Sequence, residues 1–142
     1  MTQATEVQLR SHYRPGDWGW VIERHGALYA AEQGWGGRFE TLVARLVAEF
    51  ARAYDPERDH FWIAERGEER LGSVFLARET ETACRLRFFL VDPEARGMGI
   101  GCRLVEACIN RAHDVGYDRM VLATHHVLLP ARPSTPPRAF TS

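Results

Sequence analysis

Three glycines at alternate positions, Gly97, Gly99 and Gly101, join the apolar run Phe88-Phe89-Leu90-Val91 to a segment with helical apolar spacing, and this junction constrains the fold most. Glycine carries no Cβ and turns at little steric cost, so the backbone of Arg96-Gly97-Met98-Gly99-Ile100-Gly101 can bend tightly with its N–H groups facing inward. The helix that follows adds unsatisfied donors and the positive end of a peptide dipole. Strand, glycine turn and helix in this order predict an anion cradle, and a diphosphate meets its requirements.

Two common nucleotide folds use such a cradle, and neither pattern fits. A dinucleotide-binding Rossmann unit needs G-x-G-x-x-G directly after its strand and an acidic residue about twenty positions later. Here the glycines read G-x-G-x-G behind an inserted Asp92-Pro93-Glu94-Ala95, and the next predicted strand ends at Thr124 beside His125 and His126. A phosphate-binding P-loop requires a lysine, and all 18 basic side chains are arginine. That bias matches the codon usage of a GC-rich genome, and it leaves the chain no side-chain amine of its own.

The rest of the pattern supplies a framework for the turn. Val7 to Tyr13 alternates apolar and polar residues and stops at Arg14-Pro15-Gly16-Asp17, which predicts a strand and a turn. Asp17 can cap a helix with Val21, His25, Leu28 and Tyr29 on one face, ending near Gly34. Phe39, Leu42, Val43, Leu46, Val47, Phe50 and Tyr54 form the stripe of a second helix, closed by Asp55-Pro56. Phe61 to Glu65 and Leu71 to Ala77 read as a hairpin across Arg66-Gly67-Glu68-Glu69. A third strand, Ala83 to Val91, ends in an apolar run suited to burial on both faces. Leu104, Val105, Cys108, Ile109 and Ala112 make the stripe of a third helix ending at Gly116, and Met120 to Thr124 is a short strand. The predicted order is β-α-α-β-β-β-α-β, without repeats, in one domain over residues 1–129. Residues 130–142 are rich in proline and predict a disordered tail.

Composition limits the function. With 142 residues, 45% hydrophobic and 26% charged, the chain can bury one core, and a net charge of −1 offers no field to collect nucleic acid. Cys84, Cys102 and Cys108 contain no CxxC pair, so neither a disulfide nor a zinc framework is expected. Residues 1–10 hold no apolar leader, and no apolar run is long enough to cross a membrane. A cytoplasmic protein with no membrane partner is expected.

Arg96-Gly97-Met98-Gly99-Ile100-Gly101 resembles the cofactor motif of GNAT N-acetyltransferases: Arg or Gln, two residues, Gly, one residue, then Gly or Ala. Val91-Asp92-Pro93 resembles the turn that precedes it, and the order of elements is similar over residues 7–129. The resemblance implies a mixed α+β fold with a mostly antiparallel central sheet flanked by helices. It also implies acetyl-CoA as cosubstrate, a primary amine of a small molecule or protein as acceptor, and a possible homodimer. Residues 20–35, with Arg24-His25-Gly26 and Leu28-Tyr29, further resemble acetyltransferase domains that in bacteria follow a MarR-type winged helix.

Carried over by position, the backbone of Leu90 and Val91 would pair with pantetheine like an added strand, with an N–H near Leu90 polarising the thioester carbonyl. Arg96, Gly97, Met98, Gly99, Ile100, Gly101 and Cys102 would hold the diphosphate. Arg103, one turn on, could reach a phosphate or lie solvated on the helix surface. Cys102 is read as a small residue in a tight turn, since the family transfers acyl groups directly. Tyr29, Gln33, Gly34 and Trp35 would lie toward the acceptor.

The catalytic residues are not assigned. No carboxylate lies on the strand Cys84 to Val91; Glu32, Glu65, Glu79 and Glu81 on neighbouring elements could serve as a base, though a solvated surface role suits each better, and adjacent His125 and His126 point to different sides of a strand or turn. Relatives continue with a helix bearing A-R-x-I-Y and then A-G-F, its tyrosine protonating the leaving thiolate. Here the sequence reads Ala131-Arg132-Pro133-Ser134-Thr135, with threonine at the tyrosine position. One coding string for Pro133 to Ser142 reads Ile-Tyr-Thr-Pro-Ala-Gly-Phe-His-Leu in a shifted frame, so a frameshift that replaced the last helix and strands is expected.

Overall fold

The apolar spacing of the sequence becomes six strands and three helices in the computed structural model, which describes residues 6–33, 37–122 and 125–128. The elements are β1 (Val7–Arg10), α1 (Asp17–Gln33), α2 (Gly37–Arg52), β2 (His60–Arg66), β3 (Glu69–Arg78), β4 (Ala83–Val91), α3 (Ile100–Val115), β5 (Arg119–Leu122) and β6 (His125–Leu128). They fall into two compact units, one of His12–Asp55 and one of the remainder.

The larger unit is a single sheet in the order β1-β2-β3-β4-β5-β6. Every neighbouring pair is antiparallel except β4 and β5, which run parallel with Ala83 opposite Arg119 and Leu86 opposite Leu122. A parallel pair needs a crossover, and α3 supplies it. Ile100, Leu104, Cys108 and Ala112, spaced four apart on α3, pack into one core with Trp62, Ala64, Val74, Leu76, Cys84 and Met120 of the sheet. Large side chains of this kind contribute roughly 1.5–3 kcal/mol each when fully buried. Gly72 permits the close seating of α3: a Cβ there would stand 3.3 Å from Ile100 Cγ2 and 2.9 Å from the Leu90 carbonyl oxygen.

In the smaller unit, Asp17 is fully buried and its carboxylate accepts from the Arg14 N–H at 2.7 Å. It therefore closes the turn before α1. Val21 and His25 of α1 are buried, as are Val43, Val47 and Phe50 of α2. Leu42, expected on the same stripe, is 40% exposed. It sits one position from Val43, at the margin of the buried face.

Three expected boundaries change. The first strand stops at Arg10, because Ser11 to Arg14 turn toward Asp17. The hairpin strands extend to His60–Arg66 and Glu69–Arg78. A sixth strand, β6, pairs back on β5 with Leu122 opposite His125, so the two histidines lie in a strand. The tail from residue 129 onward lies outside the described residues, as do Gly34 and Trp35.

Candidate functional site

The sheet is broken where β4 approaches the glycine turn. Ser73 faces Leu90 and Phe75 faces Arg87, so one residue more is accommodated on β4 than on β3, between Arg87 and Leu90. Phe88 adopts a φ of 52°, the only positive φ at a non-glycine position among the described residues. A left-handed backbone costs a side-chain-bearing residue roughly 1–2 kcal/mol, and a β-bulge is where such a cost commonly falls.

This bulge also overturns the expectation that the run Phe88-Phe89-Leu90-Val91 is covered on both faces. Only Leu90 of the four is buried, and Phe89 is 41% exposed. An unbroken apolar run reads as a buried strand when the backbone is regular, and here it is not.

Two consequences follow for the backbone. Among the described residues β4 pairs with β5 only from Ala83 to Leu86, so from Arg87 to Val91 its far edge has no neighbouring strand. The direction of the N–H groups along that edge follows from the ladder. Asp92 N–H donates to the Leu71 carbonyl at 2.8 Å, and alternation in an antiparallel ladder then turns Leu90 N–H toward β3 and the N–H and C=O of Val91 away from it.

At the bulge, the Phe88 carbonyl accepts from Ser73 Oγ at 2.7 Å. In a trans peptide C=O and N–H point in opposite directions, so the Phe89 N–H also faces away from β3. Phe89 and Val91, two residues apart, thus turn their N–H groups to the open edge, and Leu90 turns its own toward β3. Nothing in the sequence marks the bulge, since no glycine stands in the run.

The turn beyond Val91 is preorganised. Asp92 Oδ1 accepts from Glu94 N–H at 3.1 Å, and Pro93–Ala95 forms one 3₁₀ turn with Ala95 buried. Gly97 and Gly99 have φ of +89° and +75°, and a Cβ on either would meet nothing within 4 Å. Their need for glycine is therefore conformational and not steric. The first turn of α3 closes with Arg103 N–H donating to the Gly99 carbonyl at 3.2 Å. Among the described residues, the N–H groups of Gly97, Met98, Gly99, Ile100, Gly101 and Cys102 find no acceptor in the protein. Gly97, Met98, Gly99 and Cys102 are exposed. Free donors grouped at a helix N-terminus have the chemistry that suits an anion.

Arg96, exposed at the entrance, has an extended backbone (φ −69°, ψ 149°). Arg103 lies elsewhere: its Nη1 donates to the Val7 carbonyl at 3.0 Å. Phe89 lies alongside the first turn of α3, its Cζ 3.4 Å from where a Cβ on Gly101 would stand.

Three of the four carboxylates considered as bases are engaged. Glu65 is ion-paired to Arg10 at 3.1 Å, and Glu79 takes a two-pronged contact from Arg85 at 2.8 and 2.9 Å. Glu81 is paired with Arg78. The side chains of Glu32, Tyr29, Gln33, His125 and His126, and the whole of Thr135, lie outside the described residues.

Burial pushes the Cys84 thiol up to about 12 and the Cys108 thiol upward as well, and it pushes the His25 and His60 imidazoles down. Among the described residues no cluster of His, Cys, Asp and Glu is arranged to hold a metal ion, and no helix is long and apolar enough to cross a membrane.

A strand that parts from its parallel neighbour beyond Leu86 and runs on into a glycine turn with free donors marks the candidate site of this α+β fold. The model of the Acetyltransferase (GNAT) family matches residues 13–133, and the chain belongs to that family. Human N-acetyltransferase 8B is 29% identical over 109 residues, which is 72% of this chain and 48% of that protein. The chain thus spans about half the length of the curated relative it matches.

Solved structures share the fold. An acetyltransferase from Streptococcus agalactiae 2603 superposes with a TM-score of 0.70 at 20% identity, over 82% of this chain and 71% of that one. A GNAT-family acetyltransferase from Staphylococcus aureus Mu50 gives 0.67 at 17% identity, over 82% and 73%.

Proposed function

We propose that this chain transfers an acetyl group from acetyl-CoA to a primary amine of a small molecule or protein, with residues 90–103 as its cosubstrate site. The observation that carries the reading is the row of six N–H groups, Gly97 to Cys102, that among the described residues find no acceptor, beside an edge of β4 that no described strand pairs. They suit a diphosphate carrying two charges, and the exposed Arg96 guanidinium can add a forked contact. Val91, through its N–H and C=O, suits an amide of an extended pantetheine arm laid along β4.

Acetyl-CoA brings the activated thioester; the protein supplies alignment and a polarising donor. The Phe89 N–H, aimed away from β3, is placed to stabilise the oxygen of the carbonyl under attack, a contact whose loss typically lowers turnover 10²- to 10³-fold. Leu90 contributes to this arrangement by anchoring the strand through its buried side chain. Arg103, held at Val7, contributes to the fold more than to the anion site.

A second reading is favoured by the ion pairs at Glu65, Glu79 and Glu81: a module that binds acetyl-CoA without turnover, having no unengaged base among these candidates. A frameshift in the last ten codons, replacing the family's proton-donating tyrosine by Thr135, would have the same effect.

Titration of the purified chain with acetyl-CoA, followed by thiol release on a panel of amines, separates these readings. Saturating acetyl-CoA at about a hundredfold its Kd should stabilise the fold by roughly 2.7 kcal/mol. Thiol release with any amine establishes the transferase, and binding without release establishes the module. No thermal shift at all would refute the assignment of the cradle.

A further inference from the structure

We propose that Ser73 is a positioning residue for acyl transfer, its hydroxyl fixing the Phe88–Phe89 peptide so that the Phe89 N–H meets the thioester carbonyl. The inference rests on the reading of β4 as the acetyl-CoA strand. Ser73 lies in the middle of β3, is fully buried, and donates from Oγ to the Phe88 carbonyl at 2.7 Å. A hydroxyl buried without a partner is costly, so a serine at an otherwise apolar position needs an acceptor. The one it takes belongs to the residue with the positive φ.

The geometry makes this bond more than a filled valence. On either side of the bulge the ladder fixes β4 directly, through Ser73 opposite Leu90 and Phe75 opposite Arg87. Between these points the serine side chain ties the Phe88–Phe89 peptide to β3. Rotation of that peptide would swing the Phe89 N–H out of the cleft while leaving the rest of the sheet in register. The Phe75 and Phe88 rings, edge to face at 5.0 Å, steady the side chain of Phe88. A carbonyl that accepts a hydrogen bond also polarises its own peptide and makes the attached N–H a better donor. Ser73 itself touches neither substrate.

The test uses the full chain and acetyl-CoA carrying carbon-13 at the acetyl carbonyl, read by isotope-edited infrared spectroscopy. In the parent protein the carbonyl band should move to lower frequency on binding. In Ser73→Ala it should return toward the position of free acetyl-CoA, with Kd by calorimetry changed little. Ser73→Thr, which keeps the hydroxyl, should restore the shift. Where turnover is measurable, kcat should fall about tenfold in Ser73→Ala with KM for acetyl-CoA nearly constant.

Ser73→Cys, of similar size with a weaker donor, should give an intermediate band and serves if the alanine variant does not fold. A band equally shifted in the parent and in Ser73→Ala or Ser73→Cys overturns the role of Ser73. Failure of the parent chain to bind acetyl-CoA at all is a different result: it overturns the cosubstrate reading and this inference with it.

Discussion

Gly72 of β3 faces the carbonyl oxygen of Leu90 so closely that a Cβ built on it would stand 2.9 Å from that oxygen. The neighbour is backbone, held in the same ladder, and the far side is closed by Ile100 and Leu104 of α3. Neither can withdraw without separating helix from sheet. Gly72→Ala should therefore destabilise the fold by about 1–3 kcal/mol, the usual cost of overpacking. Urea denaturation of parent and variant checks this, and an unchanged midpoint would show that α3 is not seated as described.

The glycines of the turn should behave differently from one another. Gly97 and Gly99 have open space around them but positive φ, so Gly97→Ala and Gly99→Ala should each lose about 1–2 kcal/mol through backbone strain alone. Because the same backbone orients the free N–H groups, both variants should also bind acetyl-CoA at least about tenfold more weakly, as a single weakened charge-assisted bond implies. Gly101 lies inside α3, where a Cβ would make ordinary contact with Phe89. Gly101→Ala should leave the unliganded fold as stable as before, or raise it by about 0.5–1 kcal/mol through helix propensity. Calorimetry and denaturation on the three variants decide it, and equal effects at all three positions would contradict the assignment.

The contrast shows what the sequence made legible. The glycine turn could be read because its requirement is local: glycine where φ must be positive, next to a helix with a clear apolar stripe. The stripes of α2 and α3 and the strand Ala83–Val91 were legible for the same reason. Phe88 was not, because the strain at a bulge is imposed by β3 and β4 meeting out of step, and four apolar residues in a row look the same in a regular strand. Gly72 carries no turn signal, since its constraint comes from residues 18 and 28 positions away in the chain. The direction of the N–H groups, Leu90 toward β3 and Phe89 and Val91 toward the open edge, is set by the register of β3 and β4 and has no local mark in the sequence.

Thiol chemistry gives a check that needs no activity. Cys102 is exposed at the start of α3, whereas Cys84 and Cys108 are fully buried and burial raises both thiols, Cys84 to about 12. Since the thiolate is the reactive form, an alkylating reagent should add once to the native chain and three times in urea. Peptide mapping should find the native label on Cys102, and acetyl-CoA should slow it if the neighbouring N–H groups hold the diphosphate. Native labelling of Cys84 or Cys108 would show that the α3–sheet core opens readily.

Two histidines whose pKa burial lowers should make the stability of the fold depend on pH. His25 is buried with Nδ1 2.8 Å from the Val21 carbonyl, so a neutral ring donates there through Nδ1–H. Burial disfavours the imidazolium and lowers the pKa below the ordinary 6.5, and His60 shifts the same way through burial and the nearby Arg111 guanidinium. When the folded value is the lower one, the unfolded chain takes up protons first as pH falls, and stability must rise with pH across that interval. The contribution is full above 6.5 and is lost progressively below it, down to the folded values. Urea midpoints at about pH 7.5 and about pH 5.5 should therefore differ, with the acid value lower. His25→Asn keeps a donor near the Nδ1 position without a titrating ring, so the difference should shrink in that variant and shrink further with His60→Asn added. A difference as large in the double variant as in the parent would mean that other groups set the acid limb of the stability curve.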